Sequence, residues 1–488
     1  MTAYQNLIDG RHVPAASGAT LEVTEPATGR PWATIPRSGS ADIEDAVRAA
    51  GKAFPTWSAL DAKARAGHLR AIAEVTRAHV DELAQLETRD TGRAIRETLL
   101  GHLPMCAEIF HYFAGAADKL HGETVNVGHA SFNFTRREPL GVVGLILPWN
   151  APMSLIAAKA GAALAAGNAV VVKPAEQACC SILRWTELLA DAGLPPGVLN
   201  VVAGLGEEAG DALVRHPDVA RISFTGSTET ARAIFGAAAG TLKQLHFELG
   251  GKSPNIVFAD ADLDAAMLGL TRTGVFTPNA GQSCIAGSRM LVQRPVFDEV
   301  VERIAKAAAE LVVGDPSSES TDIGAIVSAE QLARVRSFLD EGRRDERLSL
   351  LFGGRTTADL FPADSPMSGG WYVEPTLFRA TGNESRLASE EIFGPVAVVI
   401  PFDTDEEAVA IANGTSYGLA AGVWTSDLKR AHRMVRDLQS GNVWVNAYAR
   451  IHWALPFGGT KDSGFGKDSG WESVLENTKI KTAWIDLS

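Results

Sequence analysis

Of 488 residues, 46% are hydrophobic and 21% charged, the make-up of a globular chain long enough for roughly two or three domains and a large core. Against 45 Lys and Arg stand 58 Asp and Glu, and the formal charge of −13 argues against nucleic acid or an anionic membrane surface as the main partner. Four cysteines are too few for a disulfide framework and lie in no CxxC or Cys/His spacing, so no metal site is expected. No run of about 18 apolar residues occurs. The stretch "MTAYQNLIDGRHVPAASG" lacks an apolar leader, so a reducing cytoplasm is the expected location.

In chain order, "SADIEDAVRAAGKAFPTW" opens with Ser40 as the expected N-cap of a helix, and residues 61 to 119 read as further helix. Cys106, in the apolar pattern "LPMCAEIFHYFAG", is expected to be a buried, inert thiol. "GETVNVGHASFNFTRREP" alternates polar and apolar residues, predicting an extended hairpin that reaches out from the body. From residue 140, apolar runs ending in polar residues alternate with helical segments. "LGVVGLILPWN", "AVVVKPAE", "VLNVVAG", "VARISFTGS" and "LKQLHFELGG" read as strands, with helices between them. Such a pattern predicts an α/β protein with a parallel sheet covered on both faces. Ligands bind such sheets at the carboxyl ends of the strands, where this chain places Trp149–Asn150, Lys173–Glu176, Thr225–Gly226–Ser227 and Glu248. A second αβ run starts near residue 252. The tail "KIKTAWIDLS" alternates like an edge strand, expected to pair with the early hairpin or with a partner subunit.

Three segments admit two readings each. "VAGLGEEAG" offers Gly204, Gly206 and Gly210 after a strand, a weak dinucleotide signal without the G-x-G-x-x-G spacing. Gly226 and Ser227 stand at a strand-to-helix turn that either receives a phosphate or is simply capped by Ser227 or Thr228. Lys173 and Glu176 are either a ribose-binding pair or a surface ion pair. Cys179 and Cys180 are expected to be packed or surface thiols, and Cys284, in "PNAGQSCIAGSRM", is a small buried hydrophobe or a nucleophile.

The segments "PWN" (148–150), "KPAE" (173–176), "FTGS" (224–227), "FELGGKSPNIVFADADLD" (247–264), "GQSC" (281–284), "EEIFGPV" (390–396) and "PFGGTKDSGFG" (456–466) resemble, in order and spacing, those of the aldehyde dehydrogenase superfamily over nearly the whole chain. The resemblance implies a Rossmann-like dinucleotide-binding domain (1–120 and 140–250), an α/β catalytic domain (251–450) and a small β oligomerisation element (121–139 and 471–488). It implies oxidation of an aldehyde to its acid with NAD, NADP being the alternative, in a homodimer or homotetramer. Cys284 matches the nucleophile, Asn150 an oxyanion donor and Glu248 the base that activates the hydrolytic water. Lys159 matches a lysine in a proton relay. Lys173 and Glu176 match the adenosine-ribose pair, Gly206, Gly226 and Ser227 the pyrophosphate region, Trp149 a residue lying along the cofactor, and Glu391 with Phe393 the nicotinamide-ribose site. Met105, Ala151, Leu155, Ala158, Ile285, Ile451 and Trp453 match the substrate pocket. With alanine at 151 and 158, a roomy apolar pocket for medium or large aldehydes is expected.

Two positions depart from the pattern. Ala231 stands where a second glycine often follows the "FTGS" turn, so the helix is expected slightly off the phosphates. Asp468 stands where the family often has Glu, and its shorter side chain makes a relay with Lys159 doubtful or leaves a solvated carboxylate. A CoA-acylating relative commonly lacks the base carboxylate, so Glu248 disfavours that reading. Intact Cys284, Glu248 and Asn150 disfavour a non-catalytic binding protein of the same fold.

Overall fold

A computed structural model describes residues 1–488 apart from the side chain of Asp191. Five apolar segments form parallel strands in the order Leu199–Val201, Ala169–Lys173, Val142–Ile146, Val219–Thr225, Gln244–Glu248. Their sequence order therefore reverses between Val142–Ile146 and Val219–Thr225, which opens a crevice at the carboxyl ends of those two strands. Alternate side chains feed opposite faces: Val143 and Leu145 join one core cluster, Val142 and Ile146 another. The sheet is extended antiparallel by Asn6–Ile8 and Arg11–Val13 at one edge and by Gly464–Phe465 at the other.

A second, seven-stranded sheet carries its own core. Six parallel strands run Thr376–Ala380, Val396–Phe402, Arg289–Gln293, Pro254–Val257, Ala420–Trp424, Asn442–Val445, with Leu348–Phe352 antiparallel at the edge. Both sheets match the expected α/β pattern.

The hairpin and the tail meet each other. Thr478–Asp486 pairs antiparallel with Ser131–Pro139 along its full length, from Thr478 opposite Pro139 to Asp486 opposite Ser131. Residues 123 to 125 pair on the other side of the arm, Val125 N–H donating to Asn133 O at 3.0 Å. Phe132, Ile480, Trp484 and Ile485 stand exposed on this arm.

One local expectation fails. Ser40 is the first residue of the helix Ser40–Ala59 rather than its cap, which is Gly39. The Asp42 carboxylate takes over the capping function, accepting from Gly39 N–H at 3.0 Å and Ala16 N–H at 2.8 Å. Cys106, Cys179 and Cys180 are all buried, and burial pushes each thiol well above its ordinary range. No helix among the described residues is long and apolar enough to cross a membrane.

Candidate active site

The segment ahead of Cys284 takes an expensive backbone path. Asn279 and Ala280 are both left-handed (φ 49° and 52°), and Gly281 continues at φ 72°. For the two non-glycine residues this costs on the order of 1–2 kcal/mol each. Side-chain hydrogen bonds hold the path. Asn279 N–H donates to Glu97 Oε2 at 3.1 Å, and Gln282 Nε2 donates to Asn279 O at 2.9 Å. Gln282 Oε1 accepts from Val327 N–H at 2.9 Å. The glycines here are small for the backbone's sake. A Cβ on Gly281 would lie 2.2 Å from Gly394 O, and one on Gly251 would lie 2.4 Å from Cys284 O. Three loops thus close around the cysteine.

Asn150 follows the strand Val142–Ile146 and is buried. Its Nδ2 donates to Gln282 O at 3.0 Å, two residues before Cys284. A primary amide has two N–H groups, so one remains for an oxygen near the sulfur. The Asn150 carbonyl is fixed from below by Arg93 Nη2 at 2.7 Å and Asn279 Nδ2 at 3.2 Å. Arg93, itself buried, also binds Glu97 at 2.9 Å and His102 Nε2 at 2.9 Å. Reading the sequence alone missed Arg93, Glu97 and Asn279, and no motif signalled them.

Cys284 is half-buried. Burial, then Glu391 and Glu248, push its thiol up to about 12, while the backbone N–H groups of Cys284 and Ile285 pull the other way. Glu248 ends its strand with the carboxylate buried, and neither oxygen has a hydrogen-bond partner. Burial first, then Asp468, raise it well above the ordinary carboxyl range, with Lys159 and Lys467 opposing. Burial also raises Glu391 to about 7, although its Oε1 accepts from Gly251 N–H at 2.9 Å.

Lys159, on the helix Pro152–Ala165, reaches Asp468 Oδ2 at 2.8 Å and Ser223 Oγ at 3.0 Å. The shorter side chain of Asp468 therefore does span the gap, and both groups are buried rather than solvated.

Of the expected cofactor residues, Trp149, Lys173, Glu176, Gly206, Gly226 and Ser227 end or follow strands of the first sheet, whereas Glu391 and Phe393 lie in the loop before Val396–Phe402 of the second. Lys173 Nζ meets Glu176 Oε2 at 2.8 Å, with Lys173 buried and Glu176 half-buried, so the pair is not a surface one. Gly206 is exposed at the start of a helical turn, with no atom within 4 Å of an added Cβ. Ser227 caps the helix Thr228–Ala238, accepting from Thr230 N–H at 3.1 Å, and Gly226 N–H donates to Glu248 O at 3.1 Å. Capping is thus present at this turn, and Gly226 N–H is already engaged. Ala231 is buried against the sheet. Trp149 and Phe393 meet edge to face with centroids 5.2 Å apart, joining the first sheet's switch point to the loop of Glu391. An ion pair at one end of an open crevice, glycine turns between, and aromatic rings beside a carboxylate near the sulfur at the other end fit an extended dinucleotide.

Of the expected pocket residues, Met105, Leu155 and Trp453 pack against the core of the first sheet, with Ala158 buried and Ala151 half-buried on and just before the helix of Lys159. Ile285 packs with Leu419 and Ala420 in a small cluster flanked by Cys284, Trp444 and Phe457. Ile451 is largely exposed. Trp444 and Phe457 were not foreseen, although Phe457 lies inside a quoted motif.

Against this geometry stand the comparisons. The profile described as "Aldehyde dehydrogenase family" matches residues 12–483. The chain is 43% identical to acetaldehyde dehydrogenase 2 of Cupriavidus necator over 472 residues, 96% of this chain and 91% of that one. It is 42% identical to PnpE solved in complex with nicotinamide adenine dinucleotide, at a TM-score of 0.96 over 99% of this chain and 98% of the other, and 41% identical to PnpE from Pseudomonas sp. WBC-3, at a TM-score of 0.96 over 100% and 98%. It is 39% identical to AldA indole-3-acetaldehyde dehydrogenase of P. syringae, a mutant solved with NAD+ and IAA, at a TM-score of 0.96 over 100% and 97%.

Proposed function

The chain belongs to the aldehyde dehydrogenase family and oxidises aldehydes with NAD, and from that premise we propose that Cys284 is its nucleophile, Asn150 its oxyanion donor and Glu248 the base of a hydrolytic second half. The observation that carries this reading is the tie of Asn150 Nδ2 to Gln282 O at 3.0 Å, which holds an amide donor beside a half-buried thiol that also feels the unpartnered Glu248 carboxylate.

The Cys284 thiol passes its proton to the Glu248 carboxylate, which releases it to solvent; the sulfur adds to the carbonyl carbon, and the oxygen gathers negative charge. The free Asn150 N–H and the Cys284 N–H receive that charge, which lowers the barrier by the amount typical of preorganised donors. Collapse of the oxyanion restores the C=O bond, expels hydride and leaves a thioester on Cys284. When bound, NAD supplies the acceptor for that hydride. Lys173 and Glu176 would hold its adenosine ribose, Gly206, Gly226 and Ser227 its pyrophosphate region, and Trp149, Glu391 and Phe393 its nicotinamide end. Glu248 then takes a proton from water, the hydroxide adds to the thioester carbon, the C–S bond breaks and the acid departs. The enclosure that raises Glu248 makes its carboxylate, once ionised, a stronger base than an exposed one.

Glu176 favours NAD over NADP, since a 2′-phosphate would face a carboxylate. Lys159 with Asp468 supports proton movement away from Glu248. The sheet division supports a dinucleotide domain, a catalytic domain and an arm of residues 121–139 and 471–488 that joins subunits. The apolar surroundings at Met105, Leu155, Ile285, Trp444, Trp453 and Phe457, with Ala151 and Ala158 offering little bulk, support a medium or large apolar aldehyde. A relative named for indole-3-acetaldehyde is in keeping with this size, whereas one named for acetaldehyde marks the opposite end of the range.

Rapid-mixing absorbance at the reduced-nicotinamide wavelength tests the division of labour. Cys284→Ala should give no reduced cofactor, and Glu248→Gln should give one burst followed by slow turnover. A Glu248→Gln enzyme with normal steady-state rate would remove Glu248 from the mechanism. A straight-chain and aromatic aldehyde series tests the pocket: kcat/KM should rise from acetaldehyde to benzaldehyde-sized substrates, and a maximum at acetaldehyde would refute the roomy site.

A further inference from the structure

The strands Val219–Thr225 and Gln244–Glu248 are parallel neighbours, with Ser223 opposite His246 and Thr225 opposite Glu248. His246 and Glu248 are two residues apart on one strand, so their side chains share a face. His246 Nδ1 lies 2.7 Å from Ser223 Oγ, and His246 Nε2 lies 3.6 Å from Glu248 Oε1. Both of these last two atoms are buried and without a hydrogen-bond partner.

The donor inventory favours one protonation of the imidazole. Lys159 Nζ can only donate, and it donates to Ser223 Oγ at 3.0 Å. Ser223 is then left with one proton and one near acceptor, His246 Nδ1. With Nδ1 as the acceptor of that proton, the ring proton belongs on Nε2, where it faces Glu248. The alternative acceptor for an Nδ1 proton, Asp468 Oδ1, is more distant at 3.8 Å and belongs to a carboxylate already bound to Lys159.

Charged groups surround this chain on every side. Lys159 comes from the helix Pro152–Ala165 and Arg221 from the adjacent strand Val219–Thr225; Lys467, Asp468 and Glu476 come from the chain that follows the edge strand Gly464–Phe465. Arg221 is engaged with Glu476 at 2.8 Å and Lys467 with Gly458 O at 2.8 Å. Burial first, then the cations Lys159, Arg221 and Lys467, push His246 well below the ordinary imidazole range. A cavity of about 10 Å³, the space of one water, lies among Lys159, Ser223, His246 and Asp468.

We propose that Lys159, Ser223 and His246 form a polarised hydrogen-bond chain whose last donor, His246 Nε2–H, closes onto the Glu248 carboxylate as it ionises, so that His246 and Ser223 are positioning residues that tune the base. The proposal rests on Glu248 being that base. A small rotation of either side chain brings 3.6 Å into hydrogen-bond range. A hydrogen bond made to the charged form alone lowers the pKa of that form.

Two measurements test it. With ring-labelled histidine and no cofactor, nitrogen NMR at pH 7 should show His246 as neutral imidazole carrying its proton on Nε2, assigned by its loss in His246→Gln. A proton on Nδ1 would overturn the chain. The second is the pH profile of turnover under conditions limited by thioester hydrolysis. His246→Phe should move the ascending limb up by about one pH unit or more, with the rate recovering at high pH. His246→Gln, whose amide can reach the Nε2 position, should restore much of the shift. A uniform loss at every pH with an unmoved midpoint would mean a packing role only and refute the proposal. Should His246→Phe not fold, Ser223→Ala carries the same test with the same two outcomes. If the limb survives in Glu248→Gln, the base itself has been misassigned, a failure distinct from that of the histidine.

Discussion

Replacing Asn150 by Ala removes two interactions that differ in size and in where they are felt. The first is the N–H available to the oxyanion. Losing such a donor costs about 2.7–4 kcal/mol of transition-state stabilisation, or roughly 10²–10³ in kcat. The second is the bond from Nδ2 to Gln282 O at 3.0 Å. Its net worth to folding is about 1 kcal/mol, rising towards about 3 if the buried carbonyl stays unpaired. The backbone of residue 150 should remain in place, because its carbonyl keeps Arg93 at 2.7 Å and Asn279 at 3.2 Å. The catalytic loss should therefore exceed the stability loss. Stopped-flow absorbance should show the burst of reduced cofactor slowed along with the steady state, since the oxyanion forms before hydride leaves. Urea unfolding of the free enzyme gives the stability term separately. A kcat/KM within about threefold of the parent, together with a lowered unfolding midpoint, would make Asn150 a structural anchor only.

Glu176→Gln should raise the efficiency with NADP relative to NAD, because it removes the like charge facing a 2′-phosphate; an unchanged ratio would remove Glu176 from cofactor choice. Ile480→Ser with Trp484→Ser should reduce the mass seen by light scattering without loss of helical circular dichroism, as both side chains stand exposed on the arm; an unchanged mass places the subunit contact elsewhere. Asp90 is buried, caps the helix Cys180–Leu188 through Cys180 N–H at 2.7 Å, and is raised by burial to about 7. Since the folded pKa is the higher one, its contribution to stability is full below the ordinary carboxyl range and is lost as pH rises to about 7. Asp90→Asn should thus gain little in Tm near pH 4 and most at pH 7 and above, and a gain that shrinks with rising pH would contradict the sign.

The parallel sheet was legible because its strands are apolar on both faces and end in polar residues, a pattern that only a doubly covered sheet explains. Cys284, Glu248 and Asn150 were legible because they lie in local motifs. What escaped is held together by distance in sequence. Arg93 finds Asn150 across 57 residues, and the pairing of Lys159 with Asp468, 309 residues apart, was named only through the resemblance and there doubted for the shorter side chain. His246 reads in "LHFELGG" as one more strand residue, and its meaning appears only when Ser223 arrives from the next strand. Ser40 misled because a serine before an apolar run is the usual cap signal, while here the Asp42 carboxylate already serves the end of the helix. The need for glycine at 281 was likewise hidden, because the Gly394 backbone that leaves no space for a Cβ comes from far along the chain.

That long separation between Lys159 and Asp468 also bears on how the molecule comes into being. The first sheet has its five parallel strands by Glu248, and Cys284 follows soon after, yet the edge strand Gly464–Phe465, Gly458 against the Glu248 carboxylate, and the Lys467–Asp468 pair come from a stretch nearly two hundred residues downstream. Contacts of such high sequence separation form slowly and late, since the intervening chain must be ordered first. On the ribosome, at about 5–20 residues per second, the thiol therefore exists on the order of ten seconds or more before the groups that enclose its base. Nucleophile and base are thus both translated early, and the last to arrive are the residues that enclose the base and complete the hydrolytic half.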